Sequence, residues 1–187
     1  MFQSFFEIYG TGERYASAGS EPRSASGVEF SEEYLQFVEQ YGYCSYGDGV
    51  LWTTDPAQMA PVLRRWGPLV KDFAVFARTA NGSLYLWNGD SVRVLHPHTA
   101  SLVGVGPDIE MFFMSSAVDP RYRAKVLLEP IVKQLVAQLG NLRWDEMFAF
   151  VPALALGGTG AVESMKKANL AEHHAYLAQL EPLKVAR

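Results

Sequence analysis

The side chains in this sequence best suited to chemistry are four histidines, one cysteine and a few carboxylates. The histidines come in two pairs, His96-Pro97-His98 and His173-His174. His96 and His98 flank the end of an apolar run and could offer two metal ligands. A metal centre needs three or four converging ligands, and Asp108 is the only acid within ten residues downstream. The expectation is therefore no metal and no cofactor. His173-His174 borders the stripe Leu170, Leu177, Leu180, where a helix-face histidine satisfied by a backbone or side-chain partner explains the pair better than catalysis does. Cys44 lies between Tyr43 and Ser45 with no histidine nearby in sequence, and no serine stands in a G-x-S-x-G elbow. Gly157-Gly158-Thr159-Gly160 lacks the Lys-Ser/Thr ending of a phosphate-binding loop and reads as a tight turn.

Carboxylates make a second constellation. Asp48 and Asp55 bracket Val50-Leu51-Trp52, and Asp145-Glu146 follow Trp144. Paired acids can serve general acid–base chemistry. Structural roles account for the same residues: Asp48 fits a turn, Asp55 a helix cap, and Asp145-Glu146 the entrance to an element. No catalytic residue is assigned from this pattern.

The elements that must position these residues can be read from periodicity and turn chemistry. Phe2, Phe5, Phe6 and Tyr9 share one side of a short helix over residues 1–9. Gly10 to Gly27, rich in Gly, Ser, Ala and charge, reads as an irregular connection. Ser31 caps a second helix with Glu32 and Glu33 in its first turn, and Phe30, Tyr34, Phe37, Val38 and Tyr41 form its stripe up to Gly42. The turn Tyr46-Gly47-Asp48-Gly49 leads into a strand at Val50-Leu51-Trp52. Asp55-Pro56 opens a third helix, which Gly67-Pro68 stops. Residues 73–104 read as an antiparallel meander turning at Asn81-Gly82 and Asn88-Gly89. Asp108 to Ser116 is a helix, and Asp119-Pro120 opens another that runs to Gly140 with a kink at Pro130. Trp144 to Leu156 is open between strand and buried loop. A last helix runs from Asn169 to about Leu180. The class is α+β, an antiparallel meander with helices packed from the N- and C-terminal parts.

Bulk properties narrow the function classes. The chain has 187 residues, 49% of them apolar and 19% charged, as in a globular protein with a sizeable core. A net charge of −4 and a pI near 5.6 argue against direct binding of nucleic acid and fit a basic protein partner. One cysteine allows no internal disulfide and points to a reducing compartment. The first residues show no signal-peptide pattern and no stretch is long enough to span a bilayer, so a cytoplasmic protein without a membrane partner is expected.

Two segments carry a resemblance to a known family. Tyr41-Gly42-Tyr43-Cys44-Ser45-Tyr46-Gly47-Asp48-Gly49-Val50-Leu51-Trp52, with Asp55-Pro56 after it, resembles the GAD-like domain of bacterial immunity proteins. Asp145-Glu146-Met147-Phe148-Ala149-Phe150-Val151-Pro152-Ala153-Leu154-Ala155-Leu156-Gly157-Gly158, followed by Glu172-His173 and Leu177-Ala178-Gln179-Leu180, resembles the C-terminal domain that accompanies it. His174 departs from that pattern, an apolar residue being expected there. The resemblance implies a GAD-like region over residues 1–105 and an immunity-family region over residues 106–187, packed as one unit. It also implies a non-enzymatic immunity protein that binds and neutralises a cognate type VI secretion effector, many of which are DNases. Candidate contacts are Tyr43, Tyr46, Asp48 and Trp52 around the turn, and Asp145 and Glu146 in the second motif. Two rivals remain at this level: a small metal-dependent hydrolase using His96, His98 and the acids, and a regulatory scaffold with no toxin partner.

Overall fold

A computed structural model describes residues 2–18 and 27–186. Helix α1 (Gln3–Tyr9) and strand β1 (Glu13–Ala16) precede α2 (Glu32–Tyr41), where the Ser31 side chain accepts from the Tyr34 N–H. Strands β2 (Tyr43–Tyr46) and β3 (Leu51–Thr53) then form a hairpin. Asp55 caps α3 (Pro56–Arg64) by accepting from the Ala57 N–H at 2.8 Å. The meander follows as β4 (Ala74–Thr79), β5 (Leu84–Trp87), β6 (Val92–His96) and β7 (Ser101–Gly106). The connections turn at Asn81-Gly82 and Asn88-Gly89, whose glycines have φ of 80° and 89°. The last third comprises α4 (Ile109–Met111) running into a π-helical turn, α5 (Pro120–Lys125), α6 (Glu129–Leu139), β8 (Glu146–Phe150), β9 (Met165–Asn169), α7 (Leu170–Leu180) and β10 (Lys184–Val185).

Eight strands form one sheet in the order β1-β2-β3-β4-β5-β6-β7-β10, antiparallel throughout except where β10 runs parallel to β7. A separate hairpin pairs β8 with β9. Helices cover both faces of the large sheet, so its central strands are apolar on both sides. β5 shows how the two-residue period divides them: Tyr85 and Trp87 join the core beneath α1, α2 and the π-helical turn, with Phe5, Phe37, Phe76 and Phe113. Leu84 and Leu86 join the opposite core, with Met59, Leu63 and Trp66 of the α3 region and Leu170 and Leu177 of α7. Both cores contain residues from the two motif regions, because Phe148 packs into the first and Met147 into the second.

The structure differs from the sequence reading at the Gly10–Gly27 connection and at Pro130, and it decides one segment that the reading left open. The Gly10–Gly27 connection contains β1, an edge strand with a bulge against β2; its residues 19–26 lie outside the described set. The helix expected to kink at Pro130 is two helices. Leu128 adopts φ 56° and separates α5 from α6, leaving Pro130 in the first turn of α6, where no N–H is needed. Trp144 to Leu156 resolves into β8 followed by a turn, its central residues Met147, Phe148 and Ala149 fully buried.

Candidate partner-binding face

The Gly47-Asp48-Gly49 turn is built from three consecutive residues at positive φ, which explains two glycines and an aspartate there. The Trp52 indole N–H donates to the Gly49 carbonyl at 2.8 Å and holds the turn against its own strand. Beside it lies a cleft of about 300 Å³, lined on one side by Asp48, Gly49 and Trp52, on another by Tyr9, Gly12 and Glu13, and on the third by Asn141 and Leu142. Its charged lining residues are Glu13 and Asp48, both exposed carboxylates. Gly12 permits the close approach: a Cβ there would stand 2.6 Å from Tyr46 Cε1.

Arg78 joins the two motifs beneath this cleft. Its guanidinium lies 4.2 Å from the centre of the Trp52 ring and is 1% exposed. It donates to the carbonyls of Thr79 (3.3 Å), Arg143 (3.3 Å) and Trp144 (2.9 Å). Burial pulls its pKa down to about 10, with Tyr15 and Asp145 acting the other way. Trp144 is half exposed and stacks parallel to Tyr15, which also packs on Trp52. Arg78 belongs to neither motif, and the sequence reading passed over it. The available signal was a lone charge within the strand Ala74–Thr79.

The six residues singled out from sequence fall into three settings. Asp48 is exposed at the cleft rim. Asp145 and Glu146 are partly buried and hold Arg143: the Asp145 carboxylate lies 3.3 Å from Nη2, and Glu146 accepts the Arg143 N–H at 2.8 Å while facing Nε at 3.6 Å. Tyr43, Tyr46 and Trp52 are 2%, 1% and 4% exposed and shape the turn from below. Their burial follows from the position of β2 and β3 inside the sheet, beneath α1; the Tyr46 ring meets Phe5 edge-on.

All four histidines gather around the Asn81-Gly82 turn. Trp66 donates its indole N–H to His174 Nδ1 at 2.9 Å, so the proton of His174 is on Nε2, which donates to the Gly82 carbonyl at 2.9 Å. This buried ring fills an apolar slot with both nitrogens satisfied, and burial drives its pKa down to about 3. His98 Nε2 meets the Asn81 carbonyl at 3.0 Å and His96 Nδ1 meets Ser83 Oγ at 3.0 Å. Burial lowers His98 to about 4 and lowers His96 and His173 as well. Among the described residues, no three His, Cys, Asp or Glu side chains stand where they could share a metal ion. Cys44 is buried, donates to the Tyr41 carbonyl at 3.2 Å, and has its pKa raised by burial, the reverse of an activated nucleophile.

Comparison with known proteins fits this arrangement. Residues 27–98 match the GAD-like domain, and residues 108–181 match the family described as T6SS immunity protein Tdi1, C-terminal. No curated protein sequence matches the chain. The crystal structure of Atu4351 from Agrobacterium tumefaciens shares the fold, with a TM-score of 0.75 at 16% identity over 99% of this chain and 91% of that one. The two matched segments are those held together by Arg78 and His174, and the chain carries a GAD-like domain followed by the C-terminal domain of the T6SS immunity protein Tdi1 family.

Proposed function

We propose that this protein binds a cognate type VI secretion effector, that the effector is a nuclease, and that binding alone neutralises it in the cytoplasm of the producing cell. The observation that carries this reading is the match of residues 108–181 to the immunity family. Charge supports the nuclease assignment. A nuclease must line its substrate channel with cations, and an inhibitor of net charge −4 whose cleft is bordered by Glu13 and Asp48 complements such a channel. Asp48 contacts the toxin directly. Asp145 and Glu146 contribute charge at the edge while anchoring Arg143, and Tyr43, Tyr46 and Trp52 act by holding the turn in shape. No helix among the described residues is long and apolar enough to cross a membrane, and the reading requires none.

The test is co-expression with the product of the adjacent reading frame. Rescue of growth and co-purification of the two chains are expected. A neighbouring toxin that remains lethal and does not bind at micromolar concentration overturns the assignment, and a bound toxin that cleaves no nucleic acid overturns the nuclease part alone.

A further inference from the structure

Helices α1 and α2 lie side by side over an aromatic floor, with Phe2 and Phe37 ring centres 4.6 Å apart and Phe6 and Tyr41 4.7 Å apart. Two hollows, of about 500 and 210 Å³, both reach Phe2, Phe6 and Tyr41 and form one groove. The Phe6 and Tyr41 rings are only half buried in it. Glu7 stands on the α1 rim and Glu33 on the α2 rim. We infer that this groove is a docking site for a basic, apolar-anchored segment of the effector, one that seats an apolar side chain on Phe6 and Tyr41 and pairs flanking Lys or Arg with Glu7 and Glu33.

The charge pattern specifies that occupant. Every ionisable acid or base on the two helices, tyrosine apart, is a glutamate: Glu7, Glu32, Glu33 and Glu39. None has an ion-pair partner among the described residues, whereas Glu129 pairs with Arg123 and Lys133, and Arg143 pairs with Asp145 and Glu146. Glu7 and Gln3 share a hydrogen bond of 3.0 Å, as Glu32 and Gln36 do at 3.2 Å, so among the described residues these carboxylates meet neutral amides. Arg14 is adjacent, but its guanidinium donates to the Tyr41 and Gln40 carbonyls at the end of α2. Glu32 and Glu33 are in the first turn of α2, where the helix dipole favours them. Glu7 and Glu39 are in the last turns of α1 and α2, where the dipole opposes a carboxylate and a lysine would stabilise the helix. Local stability does not account for acids at those ends; a cationic partner does. Aromatic rings at the centre of a polar rim are the usual make-up of an interface anchor.

The inference rests on the immunity reading, and α1 connects the two surfaces, its Tyr9 end lining the cleft and its Phe2 to Glu7 side lining the groove. The test compares association rates of a catalytically inactive effector with the wild-type chain, with Glu7→Lys/Glu33→Lys, and with Asp72→Lys/Glu163→Lys. The last pair makes the same change in net charge at exposed sites outside the groove. At low salt the groove double variant should associate at least about tenfold more slowly, with the control within about threefold of wild type. All four positions are exposed, and the helix-dipole gain of Glu7→Lys offsets the loss of Glu33→Lys, so thermal melts should stay close to wild type. A Phe6→Leu variant should speed dissociation with little effect on association. If wild type binds and both doubles associate at similar rates, the groove is not the docking site and the immunity reading stands. If wild type binds no effector, both fall.

Discussion

Lowering the pH from 7 to 5 should destabilise the fold strongly, through histidines that have no part in catalysis. His174 is buried completely, with Nδ1 accepting from Trp66 and Nε2–H donating to Gly82; a proton added to Nδ1 would set two N–H groups against each other. Desolvation is the largest cause of its low pKa, and His98, His173 and Arg78 each add repulsion. In the folded chain His174 titrates near 3 and His98 near 4, while in the unfolded chain each returns to about 6.5. Between pH 7 and 5 the unfolded state therefore holds more protons than the native state, and stability falls as pH falls. At pH 5, about 1.5 below the unfolded pKa, each ring costs about 2 kcal/mol, and the two together cost about 4 kcal/mol. His96 and His173, also lowered, act in the same direction. That loss is a large part of the roughly 5–15 kcal/mol that holds a domain folded. Urea unfolding followed by tryptophan fluorescence at pH 7, 6 and 5 measures the loss. His174→Gln, whose amide can accept from Trp66 and donate to Gly82 but takes no proton, should remove about 2 kcal/mol of the pH dependence. A stability that changes by less than about 1 kcal/mol over the window would refute the buried neutral assignment.

Other expectations concern the junction and the binding face. Gly82→Ala should cost about 2 kcal/mol or more in denaturant melts, because the residue has φ 80° and its Cβ would collide with the buried Met147 side chain. Arg78→Leu should cost about 3 kcal/mol, since it leaves the Arg143 and Trp144 carbonyls without their buried donor; limited proteolysis should then cut near Trp144. Asp48→Asn keeps a residue tolerant of φ 57°, so the melting temperature should hold while association with the toxin slows a few-fold. Association should also slow markedly between low and high salt, with dissociation changing less; salt-independent association measured on a surface sensor would remove the electrostatic account of how the toxin is found.

Features governed by neighbours in the chain were legible in the sequence. Ser31, Asp55, Asp119 and Asn169 each accept the backbone N–H that their position as helix caps requires, and the Asn-Gly turns fall where the meander needs them. The same local character made the two family motifs recognisable, and with them the immunity family. Tertiary structure decided what local rules leave open. Pro130 satisfies the grammar of both a kink and a helix start, and only the left-handed backbone at Leu128 selects between them. Tyr43 and Tyr46 look like contact residues until β2 is enclosed between β1 and β3 under α1, which buries both rings. His174 breaks an apolar pattern, yet fits because Trp66, 108 positions away, and Gly82, 92 positions away, supply one donor and one acceptor. Arg78 stays charged inside the protein because carbonyls 65 and 66 positions away face its guanidinium. The physical reason is common to these cases: capping and turn energies depend on residues a few positions apart, whereas burial and the partners of a buried polar group depend on which distant segments pack together.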